Sequence, residues 1–128
     1  MQNGKYVVLV VDDYPDTCRI LNKWLSRAGY TTLKASDGQE AIDICRADIT
    51  NTIDVVLMDI SMPIIGGIEA LQRIKAFRNE LPIIAQTVQC MHGDKERFLA
   101  LGFDDYIGKP SDDNTVSQKI ARYTSLKD

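Results

Sequence analysis

Tyr6-Val7-Val8-Leu9-Val10-Val11-Asp12-Asp13 (YVVLVVDD, residues 6–13) sets two carboxylates directly after an apolar run. The run from Tyr6 to Val11 is mostly β-branched and has no polar alternation. That pattern predicts a strand covered on both faces, as in a parallel sheet. Two carboxylates about 4 Å apart repel by roughly 4 kcal/mol at an effective dielectric near 20. Solvent exposure, a helix N-terminus or a bound cation would offset that cost.

Downstream, strand and helix signals alternate to the end of the chain. A helix is predicted from Pro15 or Asp16, with Ile20, Leu21, Trp24, Leu25 and Ala28 on one stripe and Gly29 closing it. Thr31–Ala35 reads as a second strand. Ser36-Asp37-Gly38-Gln39 resembles a capping box, and the helix after it turns Ala41, Ile42 and Cys45 inward. Ile53–Met58, interrupted only by Asp54, is a third strand. A helix through Ile68, Leu71, Ile74 and Phe77 follows Met62-Pro63-Ile64-Ile65-Gly66-Gly67. Ile83–Thr87 is a fourth strand, Gly93–Leu101 a short helix, Asp105–Gly108 a fifth strand, and Val116, Ile120 and Tyr123 align on a last helix. Five βα units without a linker predict one α/β domain: a doubly wound, five-stranded parallel sheet with helices on both faces and right-handed crossovers. Residues 1–128 read as that single domain, its core spanning about 5–125.

Composition narrows the function. An apolar share of 45% and a charged share of 26% suit a water-soluble domain. No apolar run reaches membrane-spanning length, and MQNGKYVV lacks a signal-peptide layout. A net charge of −3 with scattered basic residues argues against direct nucleic-acid binding, and no direct membrane contact is expected. Cys18, Cys45 and Cys90 form no CxxC pair, and with His92 as the single histidine there is no zinc-type ligand set. Reduced thiols and a cytoplasmic location are therefore expected, with Cys18 and Cys45 acting as small apolar helix residues.

In an open parallel sheet, function gathers beyond the carboxyl ends of the strands. Those ends carry Asp12 and Asp13, Asp59, Thr87 and Lys109. Three carboxylates suit a hard divalent cation such as Mg²⁺. Mg²⁺ with one ammonium and one hydroxyl is what a phosphoryl group needs for neutralisation and orientation. A carboxylate aimed at the same point can attack and become an aspartyl phosphate. No glycine-rich cradle follows the first strand, which counts against a nucleotide or flavin site. Taken singly, Asp12 and Asp13 also read as helix caps, Asp59 as a loop acid, Thr87 as a strand residue, Tyr106 as static packing and Lys109 as a turn residue.

Together, Asp12-Asp13, Asp59 with Met62-Pro63 and Gly67, Ile83-Ile84-Ala85-Gln86-Thr87, and Asp105-Tyr106-Ile107-Gly108-Lys109-Pro110 are similar in order and spacing to the receiver domain of two-component response regulators. The strand-4 wording is nearer to receivers of hybrid histidine kinases. The resemblance implies strand order 2-1-3-4-5 and Asp59 as acceptor of a phosphoryl group from a histidine kinase or phosphotransfer domain. It also implies Mg²⁺ held by Asp12, Asp13, Asp59 and the Ser61 carbonyl, Lys109 pairing with the phosphoryl group, and Thr87 and Tyr106 as switch residues. The Lys109–Pro110 bond would be cis. Output would pass through the fourth helix, fifth strand and fifth helix, a face that could also support a homodimer. Such a domain is not a conventional enzyme; it catalyses its own phosphorylation and dephosphorylation.

Val88 stands where that family usually has a smaller residue, which would slow phosphotransfer and hydrolysis. Gly66 replaces the more usual Asp or Asn, and Gly108 and Ser111 are also less usual. Ser61 and Gln89 occupy positions that tune phosphoryl lifetime. One rival reading is an unphosphorylated docking or dimerisation module. Another is an aspartate-nucleophile phosphatase, but that chemistry places its nucleophile in a DxD motif after the first strand.

Overall fold

The computed structural model describes residues 6–60, 62, 65–88, 93–109 and 111–124. Its elements are β1 (Val7–Val11), α1 (Pro15–Arg27), β2 (Thr31–Ala35), α2 (Gly38–Ala47), β3 (Ile53–Asp59), α3 (Gly67–Phe77), β4 (Ile83–Thr87), α4 (Asp94–Leu101), β5 (Asp105–Gly108) and α5 (Asp113–Thr124). All strand pairs are parallel, in the expected order β2-β1-β3-β4-β5.

Two cores sandwich the sheet. Leu9, Val11, Val56, Met58, Ile83 and Ala85 pack with side chains of α2, α3 and α4, Phe98 among them. Val8, Val10, Val55, Leu57, Ile84 and Ile107 pack with Cys18, Leu21 and Leu25 of α1 and Val116 and Ile120 of α5. Burial on both faces is why these strands read as apolar runs rather than alternating ones.

Asp54, the polar interruption of β3, sits at a bulge. Val7 pairs with Ile53 but Val8 pairs with Val55, so the register shifts there. The Asp54 carboxylate accepts from the Val7 N–H at 2.8 Å. The bulge resets the pleat: Ile53 belongs to the α2–α3 core, whereas Val55 and Leu57 face α1 and α5. Asp59, two residues beyond Leu57, therefore emerges on the α1–α5 side.

Three details differ from the sequence reading. On α1 the buried stripe is Cys18, Leu21 and Leu25, while Ile20 is 48% exposed and Ala28 is exposed. Ile20 lies one position off the i, i+3, i+7 row that faces the sheet. The α2 cap is shifted by one residue. The Asp37 carboxylate accepts from the Glu40 N–H at 2.8 Å, and Glu40 reaches back to the Ser36 N–H. Phe77 stays partly exposed beneath the Arg46 guanidinium, 5.1 Å from its ring centroid. Gly29 and Gly102 end α1 and α4 with φ of +98° and +118°, which glycine adopts without steric cost.

Opposite the carboxyl edge, a buried ion pair ties three elements. Arg78 donates to Asp48 at 2.9 Å and to the Ile53 carbonyl at 3.1 Å, with both charged side chains 8% exposed. Asp48 also accepts from the Thr52 and Ile53 N–H groups, each at 2.9 Å. Burial alone would raise the Asp48 carboxyl, but the Thr52 and Ile53 bonds and the Arg78 charge outweigh it and hold it below its usual value. A depressed carboxyl contributes stability above its unfolded pKa near 4 and loses it as pH falls through the folded value. Asp48→Ala, which leaves Arg78 buried without its carboxylate, should cost about 3–5 kcal/mol in urea unfolding at pH 7. The gap from wild type should narrow below about pH 4.

Candidate functional site

Side-chain alternation beyond the strand ends decides what meets. Asp12 continues the row Val8, Val10; Asp59 continues Val55, Leu57; Lys109 continues Ile107. All three emerge toward α1 and α5. The Lys109 Nζ donates to Asp12 Oδ2 at 2.8 Å and lies 3.4 Å from Asp59 Oδ1. Asp12 is 2% exposed and Asp59 is also buried, whereas Asp13 is open to solvent. One carboxylate oxygen from each of Asp12, Asp13 and Asp59 lies within 4.8 Å of the others.

The acidic pair does not cap α1. The N-cap is Tyr14, which makes no side-chain cap bond, and Pro15 opens the helix. Asp12 Oδ1 instead accepts from the Tyr14 N–H at 2.9 Å, and the Asp12 N–H donates to the Ala35 carbonyl at 3.1 Å. These bonds aim the Asp12 carboxylate along the sheet edge. The Cys18 thiol donates to the Asp12 carbonyl at 3.4 Å, and burial together with the Asp12 charge pushes the thiol up. Cys45 is likewise pushed up by burial, to about 11. Neither is poised as a nucleophile.

Burial opposes the charge on Lys109, but its contacts with Asp12 and Asp59 prevail and raise its pKa. Among the described residues, three carboxylates face one ammonium, an excess of two negative charges. A divalent cation matches that remainder. Two buried carboxylates plus a solvent-facing one suit a hard ion that keeps part of its water shell.

Thr87 and Tyr106 belong to the opposite pleat. Thr87 is buried in phase with Ile83 and Ala85, and its carbonyl accepts from the Lys109 N–H at 2.7 Å. Tyr106 packs against the α2–α4 core and stacks on Phe98, with centroids 5.7 Å apart. The structure thus brings Asp12, Asp13, Asp59 and Lys109 into one cluster, with Thr87 joined through the backbone and Tyr106 behind it. Ser61, Gln89, Cys90, His92 and Pro110 lie outside the described residues, and with them the Ser61 carbonyl ligand and the cis bond.

Val88 is 71% exposed and lines a groove of about 320 Å³ with Thr17, Ile20, Trp24, Gln86 and Lys109. The sequence reading gives Gln86 no role of its own. It pairs in register with Asp59 and is buried, and its Oε1 has no hydrogen-bond partner among the described residues. A polar residue inside an apolar strand was the only signal of it. Gly66 adopts ordinary extended backbone as the α3 N-cap, and a Cβ there would make only ordinary contact with the Ile60 carbonyl at 3.6 Å, so neither conformation nor space demands glycine.

Among the described residues no helix is long and apolar enough to cross a membrane. The family model described as response regulator receiver domain matches residues 8–121. Hybrid signal transduction histidine kinase I of Dictyostelium discoideum is 40% identical over 109 residues, covering 80% of this chain. The chain spans only 6% of that kinase's length. The receiver domain of the Pseudomonas aeruginosa sensor histidine kinase PA1611, solved with a magnesium ion in its active-site cleft, is 28% identical with a TM-score of 0.84. That match covers 94% of this chain and 98% of the other. The Saccharomyces cerevisiae Ssk1 receiver, solved with the phosphotransfer protein Ypd1, is 27% identical with a TM-score of 0.86, covering 96% of this chain and 91% of the other.

Removing Lys109 should expose the cost of the acidic cluster. Lys109→Ala is expected to lower metal-free stability at pH 7 by about 3 kcal/mol, because Asp12 loses its buried partner. Asp13→Asn, at an exposed position, should stay within about 0.5 kcal/mol of wild type. The raised Lys109 pKa means its contribution is complete below the unfolded value near 10.4 and disappears as pH rises through the folded value. Urea titrations at pH 7 and in that alkaline range check both statements.

Proposed function

Since the chain belongs to the response regulator receiver domain family, we propose that Asp59 is the acceptor of a phosphoryl group delivered by a phosphohistidine on a histidine kinase or phosphotransfer partner. The observation that carries this reading is the Lys109 ammonium set between Asp12 and Asp59, with Asp13 at the mouth. An Asp59 carboxylate oxygen attacks phosphorus as the phosphorus–nitrogen bond to the donor imidazole breaks. The bonding electrons leave with that ring, and an acyl phosphate remains on Asp59. Water attack at phosphorus later restores the carboxylate and releases inorganic phosphate.

Asp12, Asp13, Asp59 and the Ser61 carbonyl would hold Mg²⁺, which supplies charge neutralisation for the transferring group. Lys109 adds the fixed positive charge, already at 3.4 Å from Asp59. The new acceptor oxygens then call for donors. Lys109 supplies one and the Thr87 hydroxyl a second. Motion of Thr87 and Tyr106, which stacks on Phe98 of α4, would carry the change to the α4–β5–α5 face. That face is proposed as the output surface and as the contact for a homodimer.

The partner assignment is supported by the phosphotransfer protein seen with the Ssk1 receiver and by the hybrid kinase relative. Tyr14 and Ile20, exposed beside the cluster, give a donor domain apolar surface to rest on. Residues 1–128 are proposed as one receiver unit working in the cytoplasm, alone or as part of a longer kinase. Direct binding to nucleic acid or membrane is not part of this reading.

Intact mass after incubation with acetyl phosphate tests the acceptor. One Mg²⁺-dependent phosphoryl addition is expected in wild type and none in Asp59→Asn; no addition in either would favour a docking module. Val88 stands at the groove beside Lys109, so Val88→Ala should accelerate both phosphorylation and dephosphorylation. Unchanged rates in a time course would remove the assigned role of Val88.

A further inference from the structure

The amino end of α2 rests directly on the connection that leaves Asp59. The Gly38 N–H donates to the Ile65 carbonyl at 3.1 Å. A Cβ placed on Gly38 would lie 2.4 Å from that oxygen and 2.9 Å from Ile65 Cγ2. Non-bonded protein atoms do not approach so closely, so a side chain here requires the Ile65 backbone to move. The contact also satisfies one of the N–H groups that a helix leaves open at its start, and the positive helix end favours a carbonyl oxygen.

The other end of the same connection is equally tight. A Cβ on Gly67 would meet the Asp59 carbonyl at 2.3 Å, and the Gly67 N–H donates to the Ile60 carbonyl at 3.1 Å. The Ile60 N–H donates to the Gln86 carbonyl at 3.0 Å. Neither Gly38 nor Gly67 has a positive φ, so space and not backbone conformation demands glycine. Ile60 is thus held by β4 and by the start of α3, and Ile65 by α2. Of these, only α2 reaches across from another βα unit to the far end of the connection.

We propose that Gly38 is a positioning residue for the acceptor carboxylate, holding the post-Asp59 connection from the amino end of α2 and thereby linking α2 to cation binding at Asp12, Asp13 and Asp59. The inference rests on the reading of that cluster as a Mg²⁺-dependent acceptor. Displacing Ile65 shifts the backbone that carries Asp59, and with it the carboxylate spacing on which cation affinity depends. Because coupling free energy is reciprocal, cation binding must equally tighten the Gly38–Ile65 contact.

The test uses the full chain with Mg²⁺ alone as ligand, measured by calorimetry on wild type and Gly38→Ala. The dissociation constant should rise about tenfold, within the 5–150-fold range usual for coupled sites. The metal-free melting temperature should fall, because the atom in the way is backbone, and phosphorylation by acetyl phosphate should recover at saturating Mg²⁺. Asp37→Ala removes the α2 cap without touching Ile65, so it should lower stability and leave Mg²⁺ affinity alone. Should Gly38→Ala fail to fold, wild type decides: the Gly38 amide resonance should shift on Mg²⁺ titration while the Glu40 amide, held by Asp37, should not. Unchanged Mg²⁺ affinity in folded Gly38→Ala, or a silent Gly38 amide, overturns the positioning role and leaves the acceptor reading intact. Absence of Mg²⁺ binding by wild type overturns both.

Discussion

Charge balance at the carboxyl edge of the sheet constrains everything else in this molecule. Three acids converge there, two of them buried, and a single ammonium reaches two of the three. Like charges at that separation cost several kcal/mol in a medium less polar than water. The arrangement persists because Lys109 is delivered from the far side of the sheet, from the end of β5, to a carboxylate at the end of β1. The incomplete neutralisation leaves a cluster whose charge suits a divalent cation.

That delivery depends on the phase of the pleat in each strand. Asp12, Asp59 and Lys109 meet because their strands reach the edge with the same face toward α1 and α5. In β3 this phase is set by the bulge at Asp54, 5 residues before the acceptor candidate, where an acidic side chain bonds a neighbouring backbone amide. A residue that reads as a blemish in an apolar strand is therefore part of how the edge is assembled.

Much of this was legible in the sequence. β2, β4 and β5 occupy the residues the pattern assigns, because turn residues bracket short runs there. The four charged site residues were found because parallel topology places all strand ends on one edge. What stayed hidden is non-local. Ile20 carries an apolar side chain, and only the docking angle of α1 turns it outward. The α2 cap uses Glu40 instead of Gln39, a one-residue choice that both side chains would permit. Gly38 and Gly67 are ordinary glycines on the page. Their close approaches to Ile65 and Asp59 exist only once α2, β3 and α3 are packed. Gln86 is a similar case: that its Oε1 finds no partner among the described residues is seen only once the strand is packed.

The split of side chains between the two sheet faces has a further consequence. The clustered charges project toward α1 and α5, while Tyr106 packs on the core beneath α2, α3 and α4 and Thr87 is in phase with that face. One layer of backbone separates them, joined where the Lys109 amide meets the Thr87 carbonyl. Substitutions that retune recognition on the first face need not disturb packing on the second.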